Sequence, residues 1–150
     1  MMVEQQTILL VEDNDDDAEL TLRALTRAKV KNPLVRARDG EDALDYLFGR
    51  GKYAGRDVRE LPAVTLLDIN MPKISGLEVL KEIRADERTR HLPVVVLTSS
   101  NEDKDRLTAY THFANSYVIK PVDYDQFVTA ASQLGLYWLV LNAPPPRKEA

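Results

Sequence analysis

The sequence contains no cysteine, and this absence excludes disulfides, thiol catalysis and zinc sites built from thiolates. It also lacks a long apolar run, because the longest, residues 136–141, is far shorter than the roughly 20 residues of a membrane-spanning helix. The N-terminus, MMVEQQ, has no basic segment followed by an apolar one, so we expect no secretory signal. The formal net charge of −4 gives no electrostatic basis for binding nucleic acid. These absences predict a soluble, cytoplasmic protein.

The 150 residues, of which 44% are hydrophobic and 29% charged, suit one globular domain rather than two. We expect residues 1–142 to form this domain. Residues 143–150 contain three consecutive prolines and are expected to form an extended tail. The predicted organisation therefore includes no output domain.

Short apolar segments alternate with segments whose apolar residues recur at helical spacing. The expected strands are residues 7–12, 34–38, 63–67, 92–97 and 116–119. The fourth helix is expected at 102–112, and the fifth from 123 to near 142. In the first helix, the apolar residues at helical spacing are Ala18, Leu22, Leu25 and Ala28. Continuous apolar strands alternating with helices predict an α/β fold with a doubly wound five-stranded parallel sheet in the order 2-1-3-4-5. Ligands bind such sheets beyond the carboxyl ends of the strands, beside strands one and three.

Acidic side chains follow the two strands that border this predicted crevice. Glu12 and Asp13 come after the first strand, and Asp68 ends the apolar third strand, where a carboxylate has no packing role. Because three like charges at short range disfavour joint ionisation, the cluster needs a compensating cation. Oxygen ligands with an incomplete protein shell suit Mg²⁺, and Mn²⁺ is also possible. The sequence therefore predicts a divalent metal site.

A hydroxyl and an ammonium group are expected at the same edge of the sheet. Thr98 follows the fourth strand, and Lys120 follows the fifth strand, directly before Pro121. A metal ion, a hydroxyl and an ammonium around one carboxylate would fit a phosphoryl group on Asp68.

The order Glu12-Asp13, Asp68, Thr98 and Lys120-Pro121 closely resembles the receiver domain of bacterial two-component response regulators. The resemblance covers about residues 7–134, and Met71-Pro72 matches the turn after the acceptor. It implies the flavodoxin-like receiver fold, with Asp68 as the phosphoacceptor.

The same resemblance assigns roles to the surrounding residues. Glu12 and Asp13 are similar to the metal-binding acid pair, and the backbone carbonyl of Asn70 to a further metal ligand. Thr98 corresponds to the switch hydroxyl and Lys120 to the phosphoryl-binding lysine. Gly76 is similar to the glycine in the turn after the acceptor, and Tyr117 to the aromatic residue that reorients on activation. The implied partner is a sensor histidine kinase, whose phosphohistidine supplies the phosphoryl group to a signalling protein that hydrolyses it slowly.

Two segments distinguish the chain from a minimal receiver. Residues 49–62 form a connection longer than usual for a link between a helix and a strand. Past its core-facing stripe, the last helix carries further apolar residues: Leu136, Tyr137, Leu139 and Val140. A terminal helix that is apolar all round must be covered, which predicts a homodimer through helix four, strand five and helix five. Both segments resemble the stand-alone regulators that are paired with bacterial and cyanobacterial phytochrome kinases.

Two other functions share some of these features. A haloacid-dehalogenase-type phosphatase also uses a strand-end aspartate with Mg²⁺, but Asn70 stands where its general acid would be. A receiver-like scaffold without phosphorylation would not need the intact set of acids, hydroxyl and lysine. An EF-hand starting at Asp13 fails, because Ala18 and Ala24 occupy the positions that require Gly and Glu.

Overall fold

Strands and helices alternate along the chain as the sequence predicts, within residues 6–99, 102–120 and 124–134, which the computed structural model describes. The strands are β1 (Ile8–Val11), β2 (Leu34–Ala37), β3 (Val64–Leu67), β4 (Val94–Thr98) and β5 (Ser116–Ile119). The helices are α1 (Asp15–Arg27), α2 (Gly40–Phe48), α3 (Gly76–Ala85), α4 (Asp103–Thr111) and α5 (Tyr124–Leu134). A short 3₁₀ turn, Gly51–Tyr53, follows α2.

The sheet is parallel throughout, with the order β2-β1-β3-β4-β5, which confirms the predicted topology. Val11 at the end of β1 is in register with Leu67 at the end of β3. Glu12 follows Val11 and Asp68 follows Leu67, so these two residues lie side by side at the carboxyl end of the sheet.

Both faces of the sheet are buried, which explains why its central strands are continuously apolar. In β1, Leu9 and Val11 belong to the core beneath α2, α3 and α4. Ile8 and Leu10 point to the opposite core, which α1 and α5 cover. This alternation follows from the two-residue period of a strand.

The buried face of α1 differs in one position from the apolar spacing of its sequence. Leu22 is 47% exposed, whereas Thr21 is buried beside Ala18 and Leu25. Thr21 can be buried because its hydroxyl donates a hydrogen bond to the backbone carbonyl of Asp17 at 2.9 Å. The helix therefore turns the row 18-21-25 toward the sheet and leaves Leu22 at the surface.

The start of α3 lies directly against the backbone that follows β3. A Cβ atom added to Gly76 would lie 2.2 Å from the carbonyl oxygen of Asp68 and 2.6 Å from the Cα of Ile69. No larger residue fits without moving the backbone, so glycine is required here by close approach.

The long connection at 49–62 is packed against α2. The Arg56 guanidinium donates to the backbone carbonyls of Tyr46 at 2.7 Å and Glu60 at 2.9 Å. It also stacks over the Tyr46 ring, with 4.1 Å between its central carbon and the ring centroid. Arg56 thus ties the connection to the end of the helix.

The end of the predicted last helix and the proline-rich tail at 143–150 lie outside the described residues. The predicted dimer residues Leu136, Tyr137, Leu139 and Val140 are among them. In the part of the chain that is described, no helix has the length and apolar character needed to cross a bilayer.

Candidate functional site

Lys120 joins the ends of three structural elements at the carboxyl edge of the sheet. Its ammonium donates to Glu12 Oε1 at 2.5 Å, Asp17 Oδ2 at 3.0 Å and Asp68 Oδ2 at 3.2 Å. The side chains of Lys120, Glu12 and Asp68 are all largely shielded from solvent. The sequence predicts Lys120, Glu12 and Asp68 as members of one site, and the structure brings them into direct contact.

The three predicted acidic ligands form one cluster. One carboxylate oxygen from each of Glu12, Asp13 and Asp68 lies within 4.8 Å of the other two. Glu12 and Asp68 are buried, and Asp13 is exposed. Hard oxygen donors, one of them on an exposed residue, fit a cation such as Mg²⁺, which keeps several waters in proteins.

Asn70 connects Asp68 to Thr98. Its backbone N–H donates to Asp68 Oδ1 at 3.0 Å, and its side-chain amide donates to the Thr98 hydroxyl at 3.4 Å. Thr98 is fully buried at the end of β4. The sequence predicts only a metal-ligand role for the Asn70 carbonyl, so these two hydrogen bonds are an addition to the predicted site.

Tyr117 lies in β5, three residues before Lys120. Its side chain is half-buried and packs against the core beneath α2, α3 and α4. Its predicted role in switching stays a prediction.

The electrostatics of the site are set by burial and by an excess of acids. Burial raises the pKa of Glu12 to about 7, the hydrogen bond from Lys120 opposes this rise, and the charge of Asp68 adds to it. Burial alone would lower the pKa of Lys120, but hydrogen bonds to Glu12 and Asp17 and the charge of Asp68 raise it. Lys120 is therefore a permanent ammonium, whereas Glu12 takes up a proton near neutral pH.

Two residues of this region are absent from the sequence prediction. Asp17 holds Lys120, although in the sequence it is one of several acids in a helix start. Arg36 in β2 donates twice to the backbone carbonyl of Glu12, at 3.1 Å and 3.0 Å, and so fixes the end of β1. A charged residue inside an otherwise apolar strand is the signal that could have identified Arg36.

With a divalent ion bound, the arrangement as a whole could accept an anionic group. One cation cannot balance the clustered carboxylates, so the site retains negative charge that a divalent ion would offset. Asp68 presents one oxygen toward Lys120 and the other toward the backbone of Asn70. A carboxylate held in this way is oriented to act as a nucleophile toward a group that the cations attract.

Comparison with known families gives a match to the response regulator receiver domain over residues 8–132. Among curated proteins, the probable methanogenesis regulatory protein FilR2 of Methanothrix harundinacea is 44% identical over 138 residues. The match spans 92% of this chain and 86% of FilR2.

Solved structures of phytochrome response regulators are similar as well. The phosphorylated cyanobacterial phytochrome response regulator RcpA has a TM-score of 0.86 and 35% identity, over 95% of this chain and 99% of RcpA. The bacteriophytochrome response regulator RtBRR has a TM-score of 0.77 and 49% identity, over 95% of this chain and 85% of RtBRR. The Mn²⁺-bound form of the response regulator Rcp1 has a TM-score of 0.84 and 32% identity, over 94% of this chain and 99% of Rcp1.

Proposed function

The chain belongs to the response regulator receiver family, a family of signalling proteins, and on this premise we propose that Asp68 accepts a phosphoryl group from a sensor histidine kinase. The observation that carries the proposal is the contact between Lys120 and Asp68 inside a cluster of further acids. The family match does not favour the phosphatase and scaffold alternatives.

The proposed reaction is an exchange of one bond to phosphorus for another. A carboxylate oxygen of Asp68 attacks the phosphorus of a phosphohistidine, an O–P bond forms, and the P–N bond breaks with its electron pair returning to the histidine. Lys120 compensates the charge of the incoming phosphoryl oxygens, and the Asn70 N–H holds the attacking carboxylate in place. Later attack by water on phosphorus breaks the O–P bond and restores the Asp68 carboxylate.

Glu12, Asp13, Asp68 and the backbone carbonyl of Asn70 are the proposed ligands of a Mg²⁺ ion. The clustered oxygen donors support this assignment, as does the Mn²⁺-bound state of the similar protein Rcp1. When bound, the ion supplies neutralisation of the charge that builds up on the transferred group.

Thr98 and Tyr117 are the proposed switch residues. The Thr98 hydroxyl is engaged by the side-chain amide of Asn70, which also contacts Asp68 through its backbone. A phosphoryl group on Asp68 would compete for this hydroxyl. Movement of Thr98 in turn changes the space available to Tyr117 on the neighbouring strand β5.

We further propose that the kinase is of the phytochrome type. Support comes from the identity of 49% with RtBRR and the TM-score of 0.86 with RcpA, both of which are phytochrome response regulators. A cytoplasmic location, expected from the sequence, stays a prediction.

A homodimer through α4, β5 and α5 is the proposed assembly. Four apolar side chains on or beside α4 and β5 face solvent, with exposures from 39% to 74%: Leu107, Tyr110, Phe113 and Ile119. Exposed apolar side chains in this number on neighbouring elements favour association. We expect the double variant with Tyr137→Glu and Leu139→Glu to be monomeric in light scattering. An unchanged mass relative to the parent protein would count against this interface.

Phosphorylation itself can be measured directly. Incubation with acetyl phosphate or phosphoramidate and Mg²⁺ should add one phosphoryl group to the intact mass of the protein. The Asp68→Asn variant is the matched control, because it keeps the size of the side chain but removes the nucleophilic carboxylate. No mass gain in the parent protein, or an equal gain in the variant, would overturn Asp68 as the acceptor.

A further inference from the structure

Asp17 is held rigidly in the first turn of α1. Its backbone N–H donates to Oδ1 of Asn14, the N-cap residue, at 2.9 Å. Its carbonyl accepts the Thr21 hydroxyl at 2.9 Å. These two hydrogen bonds fix the backbone of Asp17, from which its carboxylate reaches Lys120.

This carboxylate accepts a hydrogen bond from one of the three N–H groups of the Lys120 ammonium. The other two are directed at Glu12 and Asp68, so each N–H has one carboxylate acceptor. Glu12 and Asp68 are also members of the acidic cluster with Asp13, whereas Asp17 is not. A cation in the cluster and a phosphoryl group on Asp68 would therefore compete with Lys120 for its other two acceptors, but not for Asp17.

We infer that Asp17 is a positioning residue, which holds the Lys120 ammonium beside Asp68 when those two acceptors are engaged elsewhere. The inference rests on the proposed function, since it concerns the rate at which Asp68 is phosphorylated. Asp17 acts through Lys120 and does not contact the reacting atoms itself.

The exposure of Asp17 separates this role from a purely structural one. Its side chain is 44% exposed, compared with 12% for Lys120, so the pair is partly screened by water and contributes little to stability. Loss of the contact should instead widen the range of positions available to the ammonium. Misplacement of a catalytic group by a short distance is sufficient to slow a reaction considerably.

The test compares three variants under phosphorylation by acetyl phosphate at saturating Mg²⁺. Asp17→Ala should lower the limiting rate about tenfold. Asp17→Asn keeps an oxygen that accepts a hydrogen bond and should stay within about threefold of the parent protein. Asp16→Ala, on the same helical turn and exposed, is the matched control and should leave the rate unchanged. The thermal midpoint should be the same in all of them, because the Asp17 contact is partly exposed.

A second measurement does not depend on phosphorylation. In ¹⁵N NMR of lysine-labelled protein with Mg²⁺ present, the Lys120 ammonium should be protected from exchange, and Asp17→Ala should abolish this protection. If the signal is unaffected by Asp17→Ala, or if that variant reacts at the parent rate, the inference is overturned. If the parent protein gains no phosphoryl group but its ammonium signal still depends on Asp17, the proposed function fails while the positioning role stands.

Discussion

At the carboxyl edge of the sheet Lys120 is surrounded by carboxylates, whereas at the amino edge Arg84 is surrounded by neutral acceptors. The Arg84 guanidinium donates five hydrogen bonds, four of them to backbone carbonyls, at distances from 2.7 to 3.2 Å. These bonds join the end of α3 to the segments that precede β4 and β5. Burial lowers the pKa of Arg84, but as a guanidinium it stays charged.

The comparison shows what a partly buried cation does in each setting. Arg84 donates only to neutral acceptors, so its surroundings carry no excess negative charge that would attract a further cation. Its hydrogen bonds cross-link three segments of the chain. Lys120 leaves an excess of negative charge around it, and this excess is what a divalent cation can use. One edge is built for stability and the other for binding.

Removal of Arg84 should give the largest effect. Arg84→Ala leaves several carbonyls in a partly buried region without a donor, and we expect the free energy of unfolding to fall by about 3 kcal/mol. Urea denaturation measures this change. The control is Arg88→Ala. Arg88 makes a partly exposed ion pair with Asp86, so this substitution should lower the free energy of unfolding by less than about 1 kcal/mol. Equal losses in the two variants would remove the distinction between the edges.

Removal of Lys120 should lower stability less than removal of Arg84 does, and it should strengthen the binding of Mg²⁺. Lys120→Ala raises the net negative charge of the cluster, so the Mg²⁺ dissociation constant should fall, by about tenfold. Phosphorylation by acetyl phosphate should be slowed at the same time, because the ammonium no longer compensates the phosphoryl charge. Isothermal titration calorimetry measures the first effect, with the exposed Lys81→Ala as control. Weaker Mg²⁺ binding in Lys120→Ala would contradict the charge-excess argument.

The smallest expected effect concerns pH. The raised pKa of Glu12, about 7 in the folded protein, means that the folded state binds a proton there more tightly than the unfolded state. The contribution of this proton to the free energy of unfolding is fully present below the ordinary pKa of a glutamate. It is lost as the pH rises through about 7. In EDTA, the thermal midpoint should therefore decline between pH 5 and pH 8, and Glu12→Gln should reduce the decline.

Asp15→Asn is the control for this measurement. Hydrogen bonding to Arg36 lowers the pKa of Asp15, so its contribution is lost only as the pH falls through acid values, outside the range tested. The decline from pH 5 to pH 8 should be the same in Asp15→Asn as in the parent protein. A decline that survives Glu12→Gln intact would have to arise from another group.

The sequence predicts the fold and the main residues of the site because both depend on one-dimensional patterns. Apolar strands alternating with helices predict the parallel sheet, and parallel strands bring Glu12, Asp68 and Lys120 to one edge regardless of side-chain detail. The contact of Asp17 depends instead on the rotation of α1, which the Asn14 cap fixes. That rotation is not encoded in the apolar spacing of the helix.

The same limit explains the two other differences. Leu22 and Thr21 are neighbours in sequence, and which of them is buried depends on a hydrogen bond to a backbone carbonyl. The bonds from Arg36 to Glu12 depend on the conformation of a long side chain that reaches across from β2. The residue pattern marks Arg36 as a charged residue in an apolar strand, but it does not specify the partner that its side chain reaches.

The tight seat of Gly76 against the Asp68 backbone has a mechanical consequence. Because not even a methyl group fits between them, a displacement of the Asp68 backbone would push directly on the start of α3. A fluorescent dye on a cysteine introduced at the exposed position Glu78, two residues further along α3, would report such a displacement without altering a residue of the site.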